Sequence, residues 1–153
     1  MIRRLNHTNP HVAKDIRAIF QASYKIEAAL LKAVDFPPLK RPLERFLSTP
    51  TQFFGYLREE TLAGVIEIES LPNTTSINSL VVHPDFFRQG IGKALMEYTL
   101  VHFRTPRFVV ETGVDNGPAT TLYRKLGFTE VRQWDTDHGV RKVQFELVGQ
   151  DLA

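Results

Sequence analysis

Val82-His83-Pro84-Asp85-Phe86-Phe87-Arg88-Gln89-Gly90-Ile91-Gly92-Lys93-Ala94-Leu95 governs how the rest of this chain is read. Before it, Ile77, Leu80, Val81 and Val82 read as a strand that stops at His83-Pro84. Within and after it, Ile91, Ala94, Leu95 and Tyr98 fall on one face of a helix. A strand thus passes through a glycine-bearing turn into a helix N-terminus. Glycines let the backbone approach a ligand, and the free N–H groups of a first helical turn sit at the positive end of the helix dipole. Arg88 and Lys93 add charge, so a phosphate-bearing ligand is the natural guest; tight packing alone is the other reading of Gly-x-Gly. Two common phosphate loops do not fit. A dinucleotide fingerprint needs glycine where Leu95 stands, and a Walker A loop needs glycine at Phe87 and a hydroxyl side chain at Ala94.

Outward from this turn the chain organises itself. Ile2 to Leu5 reads as a first strand. Asn9-Pro10 starts a helix with Val12, Ile16, Ile19 and Phe20 at helical spacing, resumed by Ile26, Ala29, Leu30 and Ala33. Phe36-Pro37-Pro38-Leu39 breaks that pattern, and a short helix follows from Pro42 to Leu47. Residues Phe36 to Pro50 are the least regular stretch, either a substrate-contacting loop or a plain connector. Phe53 to Leu57 and Leu62 to Ile68 form a hairpin around Arg58-Glu59-Glu60-Thr61, and a second turn at Leu71–Thr75 leads to the Ile77–Val82 strand. Downstream, Phe108-Val109-Val110 is a buried strand. Asn116-Gly117-Pro118 opens a helix whose apolar face holds Ala119, Leu122, Tyr123 and Leu126, with Gly127 placed to close it. Phe128 to Trp134 and Val140 to Leu147 are the last two strands. The order β-α-α-β-β-β-α-β-α-β-β describes an α/β domain with a mostly antiparallel first half.

At 153 residues the chain is the size of one domain, and we expect 1–153 to be a single one. Its 42% hydrophobic and 24% charged residues are ordinary for a globular protein and exclude disordered and fibrous classes. A net charge of +2 provides no field that implies nucleic acid. The absence of cysteine removes disulfides, thiolate metal sites and a thiol nucleophile. His7, His11, His83, His102 and His138 are scattered, so no metal is expected. Neither an apolar leader nor an apolar run approaching the ~20 residues of a membrane helix is present, and a cytoplasmic protein with no membrane partner is expected.

The glycine turn resembles the acetyl-CoA pyrophosphate loop of the GCN5-related N-acetyltransferase (GNAT) superfamily, Arg/Gln-x-x-Gly-x-Gly/Ala after a strand ending Val-x-Pro. Val82-His83-Pro84, Gly90 and Gly92 match; Phe87 stands where Arg or Gln is usual. Asn116-Gly117-Pro118-Ala119-Thr120-Thr121-Leu122-Tyr123-Arg124-Lys125-Leu126-Gly127-Phe128 resembles the superfamily's Asn-x-x-Ala-x-x-Leu-Tyr-x-x-x-Gly-Phe helix. The two motifs in order carry the resemblance from about Leu62 to the end. It implies a single-domain fold with a mixed, mostly antiparallel central sheet flanked by helices on both faces, and acetyl-CoA as co-substrate without metal.

By position, the resemblance assigns main-chain groups of Leu80, Val81 and Val82 to the pantetheine arm. Amides of Arg88, Gln89, Gly90, Ile91, Gly92 and Lys93 go to the pyrophosphate, with Arg88 or Gln89 covering for Phe87. Asn116 and Ala119 contact the cofactor near its reactive end, Tyr123 faces the thioester sulfur and Lys125 reaches the 3′-phosphate. Acyl transfer to an amine needs a base for the amine proton, a donor for the carbonyl oxygen and an acid for the leaving thiolate. The phenol of Tyr123 suits the acid role, since a phenol at pKa about 10 can protonate a thiolate whose thiol has a pKa of about 8.5; without the resemblance it reads as a core tyrosine. The Val82 amide suits the oxyanion. Glu111, twelve residues before Tyr123 at the end of a strand, matches the catalytic Glu of some ribosomal-protein N-acetyltransferases of the superfamily. Glu67 and Glu69 alternate with Ile66 and Ile68 on one strand face, where they either bind the acceptor's ammonium group or are simply solvated.

The expected function is N-acetyl transfer to a primary amine of a small molecule, peptide N-terminus or lysine, by direct attack. The alternative is a non-catalytic acyl-CoA-binding regulatory module on the same fold. The resemblance leaves a homodimer open.

Overall fold

The computed structural model describes residues 1–149. In chain order it contains β1 (Ile2–Leu5), α1 (Pro10–Leu31), α2 (Leu43–Ser48), β2 (Gln52–Arg58), β3 (Thr61–Leu71) and β4 (Thr74–Val82), then α3 (Ile91–His102), β5 (Arg107–Gly113), α4 (Gly117–Lys125), β6 (Thr129–Asp135) and β7 (Arg141–Val148). This is the order the sequence pattern predicts. Single turns of 3-10 helix at Pro37–Lys40 and Pro84–Phe86 fill the two loops.

One seven-stranded sheet carries everything, in the order β1-β2-β3-β4-β5-β7-β6. Every neighbouring pair is antiparallel except β4 and β5, which run parallel. Strand alternation sends residues to opposite faces. Phe53 and Val65 pack with Ile16 and Phe20 of α1 and Phe46 of α2. Their neighbours Phe54, Ile66 and Ile68 share the other core with Ile91 and Leu95 of α3 and Tyr123 of α4. Burying each such side chain stabilises by roughly 1.5–3 kcal/mol.

Local chemistry sets the helix ends. The Asn9 side chain accepts from the amides of His11 and Val12, Pro10 fits the first turn, and α1 stops at Lys32 in a left-handed conformation. The C-terminal half of α1 comes so close to β5 that a Cβ on Gly113 would lie 2.7 Å from the Leu31 side chain. Glycine admits that approach without displacing Leu31, and Tyr24 and Glu27 of α1 line the same cleft as β4 and β5.

Two irregularities in β4 open the sheet there. Glu67 pairs with Ser79 and Ile68 with Ile77, so Asn78 is an extra, bulged residue. The bulge reverses the alternation: Ile77 faces the α3–α4 core, whereas Val81 faces α1. Beyond it β4 parts from β5. Their parallel pairing ends at Ile77–Val110, although β4 continues to Val82 and β5 to Gly113.

Candidate active site

The glycine turn forms an open cradle. Arg88 and Gly90 both take positive φ, +63° and +76°. At Gly90 this conformation is the reason for glycine, since a Cβ there would meet no atom within 4 Å. No side chain caps α3, so the amides of Ile91, Gly92 and Lys93 lack the carbonyls a longer helix would supply. The nearest atoms to a Cβ on Gly92 belong to Leu122, Leu80 and Val82, at 3.8 to 4.0 Å. The unpaired edge of β4, residues 78–82, therefore runs straight to the cradle. Free N–H and C=O groups in a row fit an amide-bearing arm, and free first-turn amides fit a diphosphate. The residues present thus fit acetyl-CoA.

Side chains around the turn are divided. Gln89 accepts a hydrogen bond from Arg58. Arg88 has no ion pair among the described residues and is exposed, as is Phe87. Lys93 lies 3.8 Å from Glu97. Lys93 and Lys125 flank a hollow of about 300 Å³ between α3 and α4, with Thr121 and Leu122 on its floor.

On the α1 side, the split in the sheet widens into an open cleft of about 1380 Å³. Its walls are the second half of α1, the loop from Phe36 to Thr51, and the exposed-face residues of β3, β4, β5 and β7. Glu67, Glu69, Glu111, Asn116, Ala119 and Tyr123 all line it, together with Leu80. The cleft joins the sequence-predicted residues of the strands to those of the Asn116–Phe128 helix. Val81, buried against α1, and Val82 are not among its lining residues, and Arg88 to Lys93 and Lys125 lie outside it, at the cradle.

The carboxylates differ in their company. Glu67 is 3% exposed. Arg41 grips it with two hydrogen bonds of 2.8 and 3.0 Å, Thr51 donates at 2.7 Å and Ser79 at 2.9 Å. Burial pushes its pKa up, but Arg41 and the two hydroxyls outweigh burial and hold it below the usual carboxylate range. Glu67 is therefore a satisfied carboxylate before any acceptor arrives. Glu69, further out, accepts from Asn78 at 2.9 Å. Glu111 is paired at 3.2 Å with Lys142 and is 43% exposed.

Tyr123 is buried at the base of the cleft, its ring tilted against those of Phe128 and Phe145. Burial raises its pKa strongly; the carboxylate of Glu27 and the phenol of Tyr24 raise it further. It is therefore a protonated donor at any ordinary pH. Asn116 caps α4 by accepting from the Ala119 amide at 3.3 Å, and its NH₂ donates to Glu27 at 2.6 Å and to Thr112 at 3.3 Å.

Four residues of this cleft were not singled out by the sequence reasoning: Tyr24, Glu27, Arg41 and Lys142. Tyr24 is raised by burial first and by Glu27 next, opposed by Ser79 and Arg41. Only an i, i+3 spacing of polar-tipped residues on α1 hints at Tyr24 and Glu27. Arg41 lies in the irregular loop, where no pattern marks it. His138, whose buried Nδ1 lacks a hydrogen-bond partner among the described residues, also lines the cleft, edge-on to Phe36. Among the described residues no cluster of His, Asp and Glu could hold a metal, and no helix is long and apolar enough to cross a membrane.

Comparison with known proteins adds to this geometry. Residues 13–128 match the family model described as Acetyltransferase (GNAT) family. The chain is 31% identical over 148 residues to the UPF0157 protein YqkA of Bacillus subtilis, covering 96% of this chain but only 43% of that protein. It is 29% identical over 141 residues to the N-alpha-acetyltransferase RimI of Mycobacterium tuberculosis, covering 88% of this chain and 84% of the relative. The fold superposes on yncA of Salmonella typhimurium, solved with its cofactor acetyl-CoA, with a TM-score of 0.76 at 16% identity, covering 100% and 95% of the two chains.

Proposed function

The chain belongs to the acetyltransferase (GNAT) family, and from that premise we propose that it transfers the acetyl group of acetyl-CoA to the free α-amine of a peptide or protein by direct attack. The observation that carries this reading is the unpaired edge of β4 from residue 78 to 82. It runs from the cradle at Gly90 to a cleft that holds a buried, protonated phenol at Tyr123.

Acetyl-CoA supplies an activated acyl carbon. The amides of Arg88 to Lys93 hold its diphosphate, and Lys125 lies beside the α3–α4 hollow for a further phosphate. Main-chain groups of Leu80, Val81 and Val82 pair with the pantetheine amides, and the Val82 amide donates to the carbonyl oxygen. Ala119 and Asn116 border the reactive end. Tyr123 donates its proton to the departing thiolate. Phe87 takes no part, because backbone amides do the work of the turn.

Size and kinship support this acceptor class. Pockets for small ligands hold roughly 300–1,000 Å³, and this open cleft of about 1380 Å³ exceeds that range. The Mycobacterium tuberculosis relative is named an N-alpha-acetyltransferase. Glu69, which has no ion pair among the described residues, favours a cationic amine over an anionic acceptor.

Thermal shift with acetyl-CoA, with NAD as control, tests the first half. Acetyl-CoA at about a hundred times its Kd adds about 2.7 kcal/mol of stability, and NAD adds none. Thiol release with tetrapeptides bearing free N-termini tests the second half, free of protein-thiol background because the chain has no cysteine. Tyr123→Phe lowers kcat by about 10²-fold while the acetyl-CoA shift persists. An unchanged kcat would reduce the chain to a binding module.

A further inference from the structure

We propose that Glu27 of α1, seated against Asn116 and Tyr123 across the opening between β4 and β5, is the group that accepts the proton of the incoming ammonium. This rests on the transferase reading above.

Six carboxylates line the cleft; Asp35 and Asp137 are exposed to solvent, and three of the other four are otherwise engaged. Glu67 is saturated by Arg41, Thr51 and Ser79. Glu69 is held by Asn78 at the outer end of β3. Glu111 is neutralised by Lys142 at 3.2 Å. Glu27, like Glu69, is tied to a neutral carboxamide, but its partner stands at the inner end of the cleft: Oε1 accepts from Nδ2 of Asn116, the N-cap of the Tyr123 helix, at 2.6 Å. That donor cannot turn away. Its carbonyl oxygen caps α4 through the Ala119 amide, and its NH₂ also meets Thr112. Oε2 of Glu27 makes no hydrogen bond among the described residues, and Glu27 lines the cleft.

The groups around Glu27 complete the case. Tyr24 faces it from its own helix, Tyr123 from α4 and Lys142 from β7, with the Arg41–Glu67 pair beyond Tyr24. Burial raises its pKa; Asn116 and the more distant Lys142 oppose this without cancelling it. A carboxylate raised towards the working pH is a better base than an ordinary one. Burial first, and this same negative charge next, keep both phenols protonated. Base and acid thus stand side by side and hold each other in the forms the reaction needs.

The proton count closes. The acceptor enters as an ammonium ion and gives one proton to Glu27. The neutral nitrogen attacks, the C–N bond forms, and the C–S bond breaks. Tyr123 gives its proton to the sulfur and regains one from the new amide nitrogen. Glu27 releases its proton to water in the open cleft.

The test pairs kinetics with a titration that needs no acetyl-CoA. Carboxyl ¹³C NMR of the free protein, with Glu27 assigned by comparison with Glu27→Gln, shows a midpoint above the ordinary carboxylate range; a midpoint within that range overturns the proposal. Glu27→Gln, whose amide oxygen can still accept from Asn116, keeps the acetyl-CoA thermal shift. It loses about 10²-fold in kcat and the acidic limb of the kcat–pH profile. Glu27→Asp keeps that limb at reduced kcat. An acidic limb that survives in Glu27→Gln and disappears in Glu111→Gln overturns the proposal in favour of Glu111. Wild-type protein that turns over no tetrapeptide fails the transferase reading itself, a result distinct from turnover that is indifferent to Glu27.

Discussion

Glu67 and Glu27 look into one cleft from opposite walls, and their surroundings have opposite effects. Glu67 rises from the floor of the sheet into a guanidinium and two hydroxyls, and its pKa is held down. Glu27 hangs from α1 beside a carboxamide, and burial pushes its pKa up against the opposing pull of Asn116 and Lys142. The first is a structural fastening. Arg41, packed over the ring of Phe46 at 4.2 Å, ties the loop between α1 and β2 to β3 through Glu67. The second is an uncompensated charge, the kind that functional sites retain.

The fastening can be broken from the loop side. Arg41→Ala leaves a buried carboxylate with only two hydroxyl partners, and removing one partner of a buried pair costs about 3–5 kcal/mol. An unfolding free energy lowered by that amount, read from guanidinium chloride titration, is expected. A loss below about 1 kcal/mol would mean that the pair behaves like a surface ion pair, and the contrast between the two walls would fail.

A smaller, pH-dependent effect separates the carboxylates in sign. The folded pKa of Glu67 is depressed, so its contribution is present above the unfolded carboxylate value and is lost as the pH falls through the folded one. The folded pKa of Glu27 is raised, so its relative contribution is present below the unfolded value and is lost as the pH rises through the folded one. Urea unfolding at stepped pH should therefore show Glu27→Gln gaining on the wild type as the pH climbs above the ordinary carboxylate range. Coincident curves there would show that Glu27 is as well solvated folded as unfolded.

Much of this arrangement was legible in the sequence. The turn at Gly90 and Gly92 and the Asn116–Phe128 helix carry their chemistry in short spacings, so strand, cradle and capped helix could be placed from local pattern. Alternation placed Glu67 and Glu69 on one strand face, which the structure turns to the cleft. What each carboxylate meets was not legible. Arg41 reaches Glu67 across 26 residues and Asn116 reaches Glu27 across 89. No local period encodes such contacts. The bulge at Asn78 was hidden for a related reason: one asparagine in a β-branched run changes the register without interrupting the hydrophobic pattern. Glu27 itself, between Ile26 and Ala28, reads as one more polar position on a long helix until the split sheet brings α4 to it.

The smallest expected effect concerns the two phenols. Tyr24 and Tyr123 are both raised by burial and both face Glu27. They differ in footing. Tyr123 stands on α4, beyond the split in the sheet, where the free edge of β4 arrives. Tyr24 stands on α1, stacked edge-on between Phe20 and Phe36 at 5.8 and 5.9 Å. Tyr24→Phe keeps both ring contacts and removes only the hydroxyl near Ser79, so kcat should fall by less than about tenfold, against about 10²-fold for Tyr123→Phe. Removing a buried hydroxyl that made one hydrogen bond should change stability by about 1 kcal/mol. Equal losses in the two variants would make the phenols interchangeable donors, and the acid would then belong to the pair around Glu27 rather than to Tyr123 alone.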